Sequence, residues 1–471
     1  MEGHSPSMQI YCMSTGPLLK ALDKKLNGIR TWDGVSHSNK SFADDLKLVL
    51  QDPREVFHVD ETISRFESVS GLLLHRDISR KKCNVLTFGG HRNFDGWPSW
   101  VNKVSKTKII GAVFSNCEDI EQINSVEVQR SVLSRIHGSL GLRGTLLQKV
   151  YFLNTFVFSK LTYIAQVFKI KEDVFKIMMR EALRFLYRGE RERPVNSINY
   201  RPKEILGLGL VHLPSKCLSL IMRTMIGEYK LKGITLHNGN FDEFLYGHKD
   251  ELLKVIGTGR DGIPSAKELY SGYVKEVYSR REVLIPSRME KKYDLVDWKL
   301  AYRNFKDSKF LNPRQREFFF RFTHDLLILG ARNHFRGADQ SCRRREDHGT
   351  RCQMLETRVH FFKNCAQSID IFCLVTSIVE NALKKKIDEA TMFTMSFGIG
   401  DGKINTVVVW FLVYVFEMMY SSGFVDPILI LERTVDEIDW IIKRGSRKYE
   451  EAFYIVRMEI QTQIVGIKLD Y

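Results

Sequence analysis

Apolar residues Met8, Ile10, Tyr11, Leu18, Leu19, Leu22 and Leu26 recur at helical spacing over residues 7–26, and Asn27-Gly28 then interrupts them, which predicts a helix ending at that break. Two β-rich runs follow, at 41–50 and at 84–88 (NVLTF, before Gly89-Gly90), with helical periodicity over 56–72 between them. Residues 108–114 (KIIGAVF) predict another strand, so the opening order is helix, strand, helix, strand, strand. Beyond Asp119 the pattern turns helical, with 126–140, 146–168 and 171–187 separated by glycine or charge rather than by strand-and-turn signals. The architecture therefore changes near residue 115. A polar, proline-bearing stretch at 188–202 leads to ILGLGLVHLP, whose glycines predict a tight packed turn before a helix at 217–230. Residues 231–340 read as mixed and mostly helical, and a last helical block runs to 471. The longest apolar run, Val407 to Phe416, is shorter than the roughly 20 residues that span a bilayer, so it predicts a buried element and no membrane association.

Composition adds a partner class. The 471 residues are 44% hydrophobic, enough for a sizeable core, and carry a net charge of +15. Each basic side chain can neutralise a phosphate and release a counterion, which makes nucleic acid the first candidate, although ribosomal, heparin-binding and membrane-surface proteins share this balance. Eight cysteines without dense regular spacing do not form the framework of a small secreted domain. With no signal-peptide pattern at the N-terminus, the expected location is intracellular, in the nucleus, the cytoplasm or both.

The chemistry concentrates at Asp44 and Asp45, which follow Phe42-Ala43 at the edge of an apolar run. Two adjacent carboxylates repel unless solvent or a cation compensates them, and a tight turn between strands can present such a pair to divalent metal. Alone, the dipeptide is commoner as a solvated turn or a helix cap. Its surroundings change that. Phe42-Ala43-Asp44-Asp45 resembles the aromatic-Ala-Asp-Asp signature of reverse transcriptases, and Glu2-Gly3-His4-Ser5-Pro6-Ser7 resembles the Gln-Gly loop that opens a palm helix in that family. Ser70-Gly71-Leu72-Leu73-Leu74 with Lys81 and Lys82, and then 108–114, are similar to the family's Ser-Gly-Leu segment with its trailing lysine and to its Leu-Gly-Val-x-Phe hairpin. Further on, Phe185-Leu186-Tyr187-Arg188-Gly189 and Pro202-Lys203 before Gly207-Leu208-Gly209-Leu210 resemble segments downstream of the palm in LINE-type (non-LTR) retrotransposon polymerases.

The resemblance implies an α+β, mostly helical chain. A partial palm over 1–114 would be followed by a helical thumb over 115–230, a helical connection over 231–340, a zinc-knuckle-like segment over 341–375 and a helical C-terminal region over 376–471. It implies an RNA-directed DNA polymerase acting on an RNA template, a DNA primer and deoxynucleoside triphosphates. Asp44 and Asp45 would hold Mg²⁺ or Mn²⁺. Gly3, Ser5, Pro6, Phe42, Lys81 and Lys82 would line the nucleotide and template, and Ile110 and Gly111 would seat the primer. The motifs depart from the family at Glu2, His4, His75-Arg76 and Leu206, the family's Leu between Pro6 and Ser7 is missing, and no residue matches the family's first catalytic aspartate. The rival expectation is a remnant that binds RNA or an RNA–DNA hybrid without chemistry.

Two further candidates follow. Lys149, Lys160, Lys169, Arg180, Arg184 and Arg188, with Arg135, Arg143, Lys171, Lys176, Arg191 and Arg193, interleave with Tyr151, Phe152, Phe156, Tyr163, Phe168 and Tyr187 as in surfaces that track phosphates and stack on bases. Taken singly, each aromatic suits the core better. Cys352, His360 and Cys365 resemble the Cys-x₂-Cys…His-x₄-Cys knuckle of the family, a Zn²⁺ ligand set whose second cysteine is replaced by Leu355. Cys342 or His348 could substitute, but a collapsed, metal-free remnant is the reading the sequence favours.

Overall fold

The computed structural model describes residues 5–30, 36–42, 45–74, 76, 82–109, 111–188, 196–202, 207–231, 264–280, 288–307, 309–331, 339–344, 352–397, 402–422, 425–445 and 447–470. The described chain is mostly helical with a few short strands. It forms two compact units, one built from 1–131, 160–176 and 214–273, the other from 132–159, 177–213 and 274–471.

The first unit begins with α1 (Ser5–Lys25). A two-residue pairing of β1 (Ile29–Arg30) with β2 (Ser36–His37) follows, and then the antiparallel hairpin of β3 (Asn39–Phe42) and β4 (Asp45–Leu48). The single β-rich run expected at 41–50 is thus one and a half arms of a hairpin, because Asn39 and Lys40, which carry no apolar signal, also pair. Helix α2 (Glu55–Ser70) packs on α1 through Leu22, Leu26, Val59 and Ile63. Leu46 and Leu48 lie on one strand face by the two-residue alternation of β structure, and both cover that cluster. The break after α1 is tightened by the Glu55 carboxylate, which accepts hydrogen bonds from the Asn27 side chain (2.7 Å), the Asn27 backbone (3.2 Å) and the Gln51 backbone (3.2 Å). Gly28 is obligatory there: its φ is +62°, and a Cβ would lie 2.5 Å from the His37 carbonyl oxygen.

The expected strand at 84–88 shrinks to β5 (Asn84–Val85), paired in parallel with β6 (Asn102–Lys103). The expected strand at 108–114 is a hairpin of β7 (Lys106–Ile109) and β8 (Ala112–Ser115), with Gly111 at φ +90° just before β8. Helix α3 (Ile120–Gly138) closes the free edge of β8. The Asn124 side chain accepts from Val113 N–H (2.9 Å) and donates to Val113 C=O (2.7 Å), satisfying backbone groups that an open edge leaves bare.

The helix expected over 146–168 is interrupted. Helix α4 (Leu146–Phe152) passes into a π turn (Leu153–Val157) before α5 (Ser159–Val167). The bulge presents Asn154 to the glycine turn foreseen near 207–210, where its side chain donates to Gly209 C=O (2.8 Å) and accepts from Val211 N–H (3.0 Å). Helix α6 (Glu172–Tyr187), the short α7 (Asn196–Tyr200), α8 (Leu213–Leu231), α9 (Ala266–Arg280), α10 (Arg288–Lys292), α11 (Trp298–Asp307) and α12 (Pro313–Thr323) follow in chain order. After residue 365 come α13 (Ala366–Leu383), α14 (Glu389–Thr394), α15 (Gly402–Ser421), α16 (Pro427–Lys443) and α17 (Glu450–Asp470).

Helix α15 is apolar nearly all round, so it must be covered on every side; α11, α12, α13, α16 and α17 all pack on it. The run Val407–Phe416 is its middle. The whole helix has 20 residues and, with α13, is long and apolar enough to cross a membrane, unlike the ten-residue run read from sequence; most of α15 is buried inside its own unit. Around it Phe318, Phe322, Phe362, Phe372, Phe393 and Phe416 form a continuous aromatic cluster with centroid spacings between 5.3 and 6.5 Å.

Candidate functional site

Of the carboxylate pair, Asp45 opens β4 and pairs with Phe42, the last residue of β3, at the closed end of the hairpin. At the other end of the hairpin, the Asn39 side chain donates to Asp23 on α1 (2.5 Å) and to Leu19 C=O (3.2 Å), and Ser38 Oγ also donates to Asp23. Together with Leu46 and Leu48 in the core, these bonds hold the hairpin's base on α1. Gly3, Asp44, Lys81 and Ile110 lie outside the described residues, as do the side chains of Ser5, Pro6, Phe42 and Asp45. Ser5 and Pro6 open α1, Lys82 is exposed, and Gly111 forms the β7–β8 turn.

The basic residues divide. Lys160 and Lys169 are exposed in the first unit, and Arg180, Arg184 and Arg188 in the second. Arg180 and Arg184 lie on α6 opposite its buried face of Met178, Ala182, Phe185 and Leu186. Lys149 does not belong with them. It is 4% exposed, and its ammonium donates to Leu186 C=O (3.2 Å) and Phe185 C=O (3.5 Å) at the end of α6. The free carbonyls of a helix C-terminus attract a cation, and that fixes Lys149 in the interior rather than on a phosphate-facing surface. The aromatics divide too: Tyr151, Phe156 and Tyr163 are exposed, whereas Tyr187 is buried with its hydroxyl on Asn199 (2.6 Å). Arg191 and Arg193 lie outside the described residues.

The Cys/His segment gives the most complete geometry. Residues 340–344 and 352–356 run antiparallel: Cys342 N–H donates to Met354 C=O (2.8 Å), Cys352 N–H to Arg344 C=O (3.0 Å) and Glu356 N–H to Gln340 C=O (3.0 Å). The Glu356 carboxylate braces this pairing by accepting from Arg343 N–H (3.1 Å) and from Gly330 N–H. The chain then enters a π turn, His360–Asn364, closed by Cys365 N–H donating to His360 C=O (2.8 Å). Residues five apart diverge on an α-helix, whereas a turn closed by an i→i+5 bond brings them towards one side, which is what a His-x₄-Cys ligand pair needs.

As a result the donor atoms of Cys342, Cys352, His360 and Cys365 lie within 4.8 Å of one another, and all four residues are buried. Cys352 Sγ is 3.4 Å from His360 Nε2. A tetrahedral site with roughly 2.3 Å metal–sulfur bonds places its donors about 3.7 Å apart, so the four fit a closed site that could hold a metal ion. The sulfurs share protons unequally. A hydrogen bond from Cys342 pulls Cys365 down to about 5, and the same bond, with burial, pushes Cys342 up. Leu355 is 49% exposed; the position that lacks a cysteine is not where the fourth donor is needed, and Cys342 supplies it from the partner segment. The spacing Cys342-x₉-Cys352 hides this, because nothing in the sequence shows that 340–344 folds back on 352–356. His348 lies outside the described residues.

No protein-family model matches the chain, and a comparison with curated proteins also finds no match.

Proposed function

We propose that this chain is the palm-and-thumb portion of an RNA-directed DNA polymerase of the non-LTR retrotransposon type. In that reading Asp44 and Asp45 are the carboxylates of its metal site, and Cys342, Cys352, His360 and Cys365 form a structural zinc site in its C-terminal part. The register Phe42↔Asp45 supports the reading most, because it sets Asp45 at the closed end of a hairpin whose other end is fastened to α1. Divalent cations held by such carboxylates activate a primer 3′-hydroxyl and stabilise the departing pyrophosphate. The chain's own part is positioning. The α1–α2 core keeps the hairpin from tilting, the turn at Gly111 seats the primer end, Lys82 bears on the triphosphate, and Arg180, Arg184 and Arg188 follow a phosphate backbone.

One observation favours the non-catalytic alternative: only two of the family's three aspartates have counterparts in the sequence, while the exposed arginines need no such partner to hold RNA. Primer extension on an RNA template, beside an Asp44→Ala variant, separates the readings. Extension lost in the variant supports the polymerase. Extension absent from both, with RNA retained at low salt and released at high salt, supports binding alone, and loss of both activities refutes both.

A further inference from the structure

Arg344 stands two residues after Cys342 and is fully buried. Its guanidinium donates to Met419 C=O (2.7 Å) and Ser422 C=O (2.9 Å), at the C-terminal end of α15, and lies 4.1 Å from the Phe361 ring centroid. Its Nε–H has no hydrogen-bond partner among the described residues, and no carboxylate there comes within ion-pair distance of it; Glu356 pairs with Arg343 instead (3.3 Å). A buried cation without a counter-anion is costly. The helix-end carbonyls offset part of that cost through their partial negative charge. Cys342 and Arg344, two apart on the arm paired with 352–356, leave the backbone on the same side and are both fully buried, and Cys352 N–H donates to Arg344 C=O (3.0 Å), so the guanidinium stems from the face that carries the Cys342 sulfur.

The charge count of the cluster meets this need. Three thiolates and a neutral imidazole around a divalent ion carry one net negative charge, and one guanidinium cancels it. A monovalent ion would leave two negative charges, one more than Arg344 can cancel.

We propose that Arg344 is the counter-cation of a three-thiolate, one-imidazole site, that it tunes the site to a divalent ion, and that through it metal loading fixes the C-terminal turn of α15. This rests on reading the four residues as a metal centre. Groups beyond the ligands that balance and orient them commonly govern about 10–100-fold in metal affinity.

Zn²⁺ and Co²⁺ affinities are measured by competition with a chromophoric chelator, and hydrogen exchange is followed at residues 418–422 in the presence of zinc and after chelation. The expected result is one metal per chain in the wild type, about 10–100-fold weaker binding in Arg344→Met, and an intermediate loss in Arg344→Lys, which keeps charge without the fork of donors. Chelation should also accelerate exchange at 418–422, although these residues ligate nothing. Wild-type affinity in Arg344→Met, or exchange there that chelation does not change, overturns the inference while the metal reading stands. A wild-type chain that takes up neither ion overturns both. Should Arg344→Met not fold, the exchange experiment on the wild type decides by itself.

Discussion

Cys342→Ala tests the proposed metal centre at the donor that the partner segment supplies. The substitution removes one of the three sulfurs and leaves three donors that close only part of a tetrahedron. Binding to the folded state alone stabilises it by about 4 kcal/mol when free zinc is 1,000 times the dissociation constant, so a variant whose affinity falls by that factor loses nearly all of this linkage. Loss of the buried sulfur itself costs roughly 1 kcal/mol more, with or without metal. At roughly 2–4 °C per kcal/mol for units of this size, adding zinc should raise the melting temperature of the wild type by about 8–16 °C, and that of Cys342→Ala by almost nothing. In the metal-free state the two proteins should differ by only about 2–4 °C. Differential scanning calorimetry with zinc and with chelator measures all four numbers. Leu355→Ala and Cys373→Ala, both at exposed positions, should keep the wild-type gap. A Cys342→Ala protein that retains the full gap would show that Cys342 is no ligand, and the four-donor reading would be withdrawn.

Gly28→Ala should destabilise the first unit by roughly 2–4 kcal/mol, since alanine meets both a left-handed φ and the His37 carbonyl; an unchanged urea midpoint would contradict the turn geometry. Arg180→Ala with Arg184→Ala should flatten the slope of log affinity against log salt for RNA by about 1.4–1.8 without altering the circular dichroism, whereas Lys149→Met should lower stability by roughly 1–3 kcal/mol and leave that slope unchanged. The pH dependence of the metal-free protein has a definite sign. Cys365 is held down at about 5 against an ordinary thiol value of 9.0, chiefly by the bond from Cys342. A depressed acid stabilises the fold fully above the unfolded value and not at all below the folded one, so this contribution fades as pH falls from 9 to 5. Cys342 is shifted the other way, so its own contribution is lost only on the alkaline side and does not oppose the trend within that window. Cys365→Ser should remove the slope of melting temperature over this range.

What could be read from sequence was what hydrophobic periodicity encodes. Helices α1, α2, α3 and α6 appear where apolar residues recur every three to four positions, and α15 surrounds the apolar run at its centre. Strands fared less well. The pairing partner of each short strand is fixed by a turn rather than by its own residues, so 108–114 read as one strand instead of two arms folded at Gly111. The π turns at 153–157 and 360–364 left no signature in spacing, because one extra residue in a helix does not disturb a pattern read over two turns. The basic surface was misread at Lys149 for a related reason. A lysine on a helix looks solvated until a second helix end, here that of α6, is found to present its carbonyls to it.

Arg358 shows the same limitation and extends the consequence of metal loading. Two residues before His360, it is buried, donates to Phe393 C=O (2.6 Å) and Phe322 C=O, and lies 3.6 Å from the Phe322 ring centroid. Arg344 and Arg358 therefore bring the ends of α12, α14 and α15 onto one short segment, 340–365. Hydropathy assigns both arginines to the surface, yet each donates to carbonyls at the C-terminal ends of helices distant from it in sequence. If that segment is ordered by its four donors, the first structure to loosen on chelation should be these three helix ends, which lie far apart in sequence, ahead of the well-packed middles of the same helices. Hydrogen exchange resolved along α12, α14 and α15 should show that gradient. Uniform loss of protection along all three would instead mean that the metal stabilises the unit only globally, with the arginines as passive filling.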